Sequence, residues 1–266
     1  MQKKKHPVLY VVVPCFNEEL CLIKNADIVS SKLNQMQTNG SIKEWHILYV
    51  DDGSSDNTWN IINQLHSQNH LITGISLSKN RGQQNAIIAG IEAAQDYADA
   101  IITMDVDLQD DIGVIDKMVD KYLLGCDVVY TARSDRKADS FFKRHTALAF
   151  YKCMELLKVE MVYNSSDYRL IGKKAIRFLL ECKESTLYLR SLIPYIGLKS
   201  DVVYFTRNKR FAGKSKYSAI KLLQLAKDAV FSSTTKPLII NWIFAGLSFL
   251  VALIKIRQNI HKKSDK

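Results

Sequence analysis

Asp105, Asp107 and Gln109 stand at every second position after a short apolar run, Ile101-Ile102-Thr103-Met104. Such a run reads as a buried strand. If the chain stays extended beyond it, alternation puts these three oxygen-bearing side chains on one side and Val106 and Leu108 on the other. Three hard oxygen donors at a strand's end suit Mg2+ or Mn2+, ions that keep positions open for phosphate oxygens. An isolated Asp-x-Asp is more often a solvated loop, so the surrounding chain has to decide between the two.

The preceding elements repeat one pattern. Residues 8–13 are a continuous strand-like run that Pro14 is expected to end, and Asn17 is placed to cap a helix with Glu18 and Glu19 in its first turn. Residues 46–50 read as a second strand ending in Asp51-Asp52-Gly53-Ser54-Ser55-Asp56, with Asp56 placed to cap a helix over 57–68. A third strand over 71–77 leads through Ser78-Lys79-Asn80-Arg81-Gly82-Gln83-Gln84 into a helix over 85–95. After the Asp105 strand come a helix over 112–124 and a strand over 127–131.

This alternation predicts an α/β fold with a doubly wound, mostly parallel sheet, which binds ligands beyond the carboxyl ends of its strands. The polar clusters at 17–19, 51–52, 79–83 and 105–109 all fall at such ends. No Gly-x-Gly-x-x-Gly follows the first strand, which argues against a dinucleotide site. Gly213-Lys214-Ser215 lacks the earlier glycine of a phosphate-binding P-loop, with Asn208 in its place.

The 266 residues carry a formal net charge of +10, unevenly spread. Residues 1–132 hold 10 basic and 17 acidic side chains, a net of −7, and residues 133–266 hold 27 and 10, a net of +17. The acidic half can hold cations and the basic half can meet phosphates. No nucleic-acid-binding module is recognisable, so anionic lipid head groups are the more natural partner and nucleic acid is not expected. Five scattered cysteines without a Cys-x-x-Cys pair fit reduced thiols on the cytosolic side.

Past residue 131 a basic segment is followed by an amphipathic helix over 146–158, an extended stretch over 163–171 that carries Asp167 and Arg169, and a strand over 201–206. Residues 1–215 are expected to form the catalytic domain, 216–236 a basic amphipathic helix suited to a membrane interface, 237–256 an apolar membrane helix, and 257–266 a basic tail. One crossing would put that tail outside, against the positive-inside tendency; a helix lodged in one leaflet, or a second span beyond this sequence, would remove the conflict.

Taken together, the motifs resemble family 2 glycosyltransferases of the GT-A fold, with a Rossmann-like nucleotide half. Within that family they are most similar to the polyprenyl-phosphate branch, which includes dolichyl-phosphate mannose synthase and bactoprenol glucosyltransferases. The resemblance spans residues 7–240 and rests on Val13-Pro14-Cys15-Phe16-Asn17-Glu18-Glu19, on the Asp51 and Lys79 segments, and on Asp105-Val106-Asp107-Leu108-Gln109-Asp110. It continues through Arg133-Ser134-Asp135-Arg136, Ser166-Asp167-Tyr168-Arg169-Leu170 and Arg210-Phe211-Ala212-Gly213-Lys214-Ser215-Lys216-Tyr217. Bactoprenol members carry two membrane helices after the catalytic domain, where this sequence has room for one.

The resemblance implies transfer of a sugar from a nucleotide-diphosphate sugar to a lipid phosphate, with inversion at the anomeric carbon, on the cytoplasmic membrane face. UDP-glucose is the expected donor, with GDP-mannose or a polysaccharide acceptor as alternatives. Asp105, Asp107 and Gln109 would hold Mg2+ or Mn2+ against the leaving diphosphate. Pro14, Asn17, Glu19, Asp51, Asp52, Lys79 and Gly82 would line the donor pocket, Asp52 by accepting hydrogen bonds from the base or ribose. Arg133, Arg136, Arg169, Arg207, Arg210 and Lys214 would meet the acceptor phosphate. Asp167 would lie near the reacting oxygen, either as a base or orienting Arg169. Homo-oligomers are left open.

Overall fold

The structure is a computed structural model, and it describes residues 5–134, 152, 162–182 and 189–206. The amphipathic helix expected over 146–158 and the segments expected over 216–236, 237–256 and 257–266 lie outside the described residues. Among those described, no helix is long and apolar enough to cross a membrane.

Among the described residues, seven strands form one sheet: β1 (Val8–Cys15), β2 (Glu44–Asp51), β3 (Ile72–Ser76), β4 (Ala100–Thr103), β5 (Val128–Arg133), β6 (Ser165–Gly172) and β7 (Ser200–Phe205). Their order is β3-β2-β1-β4-β6-β5-β7. Only β6 runs against its neighbours β4 and β5, and the other pairs are parallel. The expected mostly parallel, doubly wound sheet is therefore present, with an antiparallel strand set inside it.

The helices cover both faces. On one lie α1 (Leu22–Thr38), α2 (Thr58–Gln68) and α4 (Val114–Leu123), packed on the face that carries Val11, Val13, Ile47 and Ile102. On the other lie α3 (Gln83–Ala94), α5 (Lys173–Glu181) and α6 (Leu189–Tyr195), packed against Val12, Val50, Ile101 and Ile171. Val11 and Val12 are adjacent, face opposite layers, and are both wholly buried. Two-sided burial is why β1 reads as an unbroken apolar run rather than an alternating one.

Pro14 does not end β1, which continues to Cys15 paired with Asp51. The carbonyl of Val12 accepts from Met104 N on the β4 side, and that of Cys15 accepts from Asp52 N on the β2 side. Alternation turns the nitrogen of Pro14 toward β4, where a further ladder bond would need the N–H that proline lacks. Pro14 thus closes the β1–β4 ladder while β1–β2 continues, and the chain after Thr103 is released into the Asp105 turn.

Two further starts differ from expectation. Helix α1 begins at Leu22 with Cys21 as its N-cap, and Asn17 lies in the loop before it with a left-handed φ of 51°. Helix α2 begins at Thr58, and Asp56 accepts the Thr58 N–H at 3.0 Å, so it serves that helix start from one residue farther out than a cap.

Candidate active site

The loops after β1 and β2 are laced together. Asn17 N donates to Ser54 Oγ at 2.8 Å, and Ser55 N donates to Asn17 Oδ1 at 2.8 Å. Asn57 N donates to Glu19 Oε2 at 3.0 Å, which sets that carboxylate at the positive start of α2. Asn17 is therefore a loop brace rather than the cap of α1, and Glu19 caps the neighbouring helix.

The loop after β3 is built on the pair after β2. Asp52 is 3% exposed and accepts Arg81 N at 2.7 Å and Gly82 N at 2.8 Å, one on each carboxylate oxygen. Asp51 is 2% exposed and accepts Ser54 N at 3.1 Å and Ser76 Oγ at 3.2 Å. These contacts make both aspartates supports of the rim. Lys79 lies exposed on the loop that Asp52 holds, and Gly82, half-buried, takes a φ of 89° there. Gly53, at φ 71°, lies so close beneath that a Cβ would stand 2.7 Å from the Lys79 carbonyl carbon. Only glycine tolerates both the conformation and the approach.

The Asp105 turn differs from the extended stretch its spacing predicts. Strand β4 ends at Thr103, Asp105 N donates to Asp110 Oδ2 at 3.3 Å, and Gln109 N donates to Asp107 Oδ1 at 3.1 Å. Leu108 takes a left-handed φ of 58°. The chain curls into a turn, so simple alternation does not apply to Asp105, Asp107 and Gln109. Asn25, wholly buried on α1, fixes that turn: its Nδ2 donates to Val106 O at 3.1 Å, and its Oδ1 accepts Tyr49 Oη–H at 2.9 Å.

Among the described residues no three His, Cys, Asp or Glu side chains cluster as a metal cage. Two carboxylates and an amide oxygen within one short turn are nonetheless the hard donor set of an ion shared with substrate phosphates, which takes one or two protein carboxylates and little else. The donor chemistry of Asp105, Asp107 and Gln109 fits Mg2+ or Mn2+ on that basis.

On the other side of β4, register brings in Asp167. Thr103 pairs with Arg169 across β4–β6, and the Thr103 hydroxyl donates to the Asp167 carbonyl. The Asp167 carboxylate meets two guanidinium groups. Arg169 Nη2 donates to Oδ1 at 2.6 Å, and Arg190 donates from Nε to Oδ1 at 3.1 Å and from Nη2 to Oδ2 at 2.9 Å. Burial alone would raise the Asp167 pKa, but the charges of Arg190 and then Arg169 outweigh it and hold the carboxyl at about 2.

Arg169, expected at the acceptor phosphate, is 2% exposed and also donates to Leu189 O and Ser166 O, both at 3.1 Å. Its placement makes it a support for Asp167. Arg133 ends β5 half-buried, and its backbone N–H donates to Asn164 O at 3.3 Å. Arg136, Arg207, Arg210 and Lys214 lie outside the described residues. Arg190 and Gln84 are not singled out for a site by sequence, and Gln83 enters only as the end of the 79–83 rim cluster. Gln83 Nε2 donates to Asp105 Oδ1 at 2.8 Å, and Gln84 Oε1 accepts Leu189 N at 3.2 Å, beside Arg190. The polar pair opening α3 was the available signal for both glutamines.

The sequence profile described as Glycosyl transferase family 2 matches residues 10–180. The chain belongs to that family. It is 41% identical over 237 residues to the uncharacterized glycosyltransferase YkoT of Bacillus subtilis (strain 168), covering 89% of this chain and 70% of that protein. It is 35% identical over 238 residues to the prophage bactoprenol glucosyl transferase homolog of Escherichia coli (strain K12), covering 89% and 75%.

The fold of this family 2 transferase is shared with the mannosyltransferase PcManGT of Pyrobaculum calidifontis, solved in complex with GDP-Man and Mn2+. The TM-score is 0.54 at 16% identity, over 85% of this chain and 64% of that one, so the chain spans just under two thirds of that protein.

Proposed function

We propose that this family 2 transferase moves glucose from UDP-glucose to a polyprenyl phosphate at the cytoplasmic membrane face, with inversion. The observation that carries the reading is the joining of two opposite sites at one rim. Consecutive residues of α3 hold both: Gln83 bonds Asp105 in the acidic turn, and Gln84 accepts the N–H of Leu189, whose neighbour Arg190 grips Asp167. A donor diphosphate and an acceptor phosphate both bring negative charge, and each needs its own counter-charge near the reacting carbon. The relative named as a bactoprenol glucosyl transferase supports the lipid acceptor and the glucosyl group.

In this reading an acceptor phosphate oxygen attacks the anomeric carbon, the new C–O bond forms on one face, and the bond to the diphosphate breaks on the other. The electron pair leaves with the nucleoside diphosphate. A phosphate monoester is ionised at neutral pH, so the protein has to orient it rather than deprotonate it. A divalent ion held by Asp105 and Asp107, with Gln109, would supply charge neutralisation at the leaving diphosphate. Glu19, Asn17, Asp51 and Asp52 hold the donor-side loops in register, Lys79 and Gly82 sit on the loop they support, and Pro14 sets where β4 lets go. Arg133 and the basic residues Arg136, Arg207, Arg210 and Lys214 supply acceptor-side positive charge.

The test is transfer of radiolabel from UDP-glucose or GDP-mannose, with Mn2+ or Mg2+, into organic-extractable polyprenyl product. Label from UDP-glucose in the lipid supports the reading. Label from GDP-mannose alone replaces the sugar, and label passing only to a water-soluble saccharide overturns the lipid acceptor.

A further inference from the structure

We propose that Arg190 is the side chain that meets the acceptor phosphate, and that Asp167 serves as its anchor rather than as a base. The inference rests on the reading above and deepens its acceptor side.

Both oxygens of Asp167 are engaged by cations. Arg190 takes one with Nε and the other with Nη2, at 3.1 and 2.9 Å, a two-pronged grip that fixes the plane of its guanidinium. Arg169 takes Oδ1 as well, at 2.6 Å. A carboxylate held this way is poorly placed to collect a proton, and the charges that hold its pKa at about 2 make it a weak proton acceptor besides.

The two arginines differ in access. The Arg169 side chain is 2% exposed and is tied to two backbone carbonyls, whereas that of Arg190 is 31% exposed. Of the two guanidinium groups that meet Asp167, Arg190 is the member that reaches solvent. Its backbone is clamped as well, because the preceding residue, Leu189, donates its N–H to Gln84 Oε1 and its carbonyl accepts from Arg169 Nη1. A cation already fixed in place loses little side-chain freedom when a phosphate binds. Its partner Asp167 belongs to β6, which pairs with β4 immediately before the Asp105 turn, so the group stands beside that turn.

The test uses the full chain and measures KM for polyprenyl phosphate and for UDP-glucose separately, in wild type, Arg190→Ala, Arg190→Lys and Asp167→Asn. Arg190→Ala is expected to raise the acceptor KM about tenfold or more while the donor KM stays within about twofold, and Arg190→Lys to recover part of the loss. Inorganic phosphate should compete with the lipid in wild type and lose that competition in Arg190→Ala, which separates phosphate recognition from lipid-tail binding. Asp167→Asn is expected to raise the acceptor KM and to keep its turnover at saturating acceptor within about tenfold of wild type, whereas loss of a true base would cost about a hundredfold or more.

Wild-type transfer with an unchanged acceptor KM in Arg190→Ala overturns the inference alone, as does a collapse of turnover confined to Asp167→Asn. No wild-type transfer to polyprenyl phosphate overturns the functional reading with it. If Arg190→Ala fails to fold by circular dichroism, the Arg190→Lys KM pair and phosphate competition in wild type decide.

Discussion

Gln83 and Gln84 are neighbours in the chain and hold different groups: Gln83 Nε2 donates to Asp105, and Gln84 Oε1 accepts the N–H of Leu189, next to the Arg190 that grips Asp167. One helix start therefore sets the spacing between the acidic turn after β4 and the arginine-bound aspartate of β6. Single substitutions should separate the two sides. Gln83→Ala is expected to raise the donor KM by about tenfold, the scale of a hydrogen bond to a charged group, and to leave the acceptor KM unchanged. Gln84→Ala should do the reverse. Steady-state kinetics with each substrate varied in turn would check both.

The Asn25 side chain bridges Tyr49 and the Val106 carbonyl, with no part of Asn25 or Tyr49 exposed. Asn25→Ala leaves a buried hydroxyl and a buried carbonyl to find new partners, at about 1–3 kcal/mol. The turn carrying Asp105 and Asp107 should loosen, so the Mn2+ concentration for half-maximal activity should rise. Tyr49→Phe, which keeps the bond to Val106, should lose less of both. Urea unfolding and an Mn2+ titration measure the two effects.

Gly53 and Gly90 are both needed, for different reasons. A Cβ on Gly90 would stand 2.4 Å from Val12 Cγ1 and 2.9 Å from Val50 Cγ2, where α3 packs on the sheet. Gly90→Ala should cost about 1–3 kcal/mol of stability, read from the urea midpoint. Gly53→Ala meets the Lys79 backbone instead, so donor binding should weaken by more than its stability loss explains, as calorimetry with UDP would show.

Asp167 links stability to pH. Its carboxyl is held at about 2 against an ordinary 3.8, because Arg190 and Arg169 overcome the upward push of burial. The unfolded chain takes up the proton first, so the stabilisation is complete above about pH 4 and is lost as pH falls through about 2. It amounts to about 2 kcal/mol. Asp167→Asn should lower the urea midpoint at pH 7, and its midpoint should fall less than that of wild type between pH 5 and pH 3.

Much of this architecture is legible in the residues, for identifiable reasons. Strands β1 and β2 are buried on both faces and so appear as apolar runs, and the alternation with helices implies the parallel sheet. The reversal of β6 is not legible, because pairing direction leaves no mark on a short strand. Helix α5 is marked in the sequence by Ala175, Ile176 and Leu179, which recur at helical spacing and are buried. Helix α6 hides behind Pro194. The curl at Leu108 has no glycine or asparagine to announce it, so the turn that carries Asp107 reads as an extended stretch. Asp167 was reached by resemblance, and Arg190 had no local sign at all, since its role depends on a partner 23 positions away.

The most direct test of a divalent ion gripping the donor's diphosphate at the Asp105 turn is glucosyl transfer by Asp107→Ala, with UDP-glucose, Mn2+ and polyprenyl phosphate. Circular dichroism and the melting temperature would establish that the variant is folded. A fall in turnover of about a hundredfold or more, unrelieved by added Mn2+, is expected. Wild-type turnover by the folded variant would contradict it.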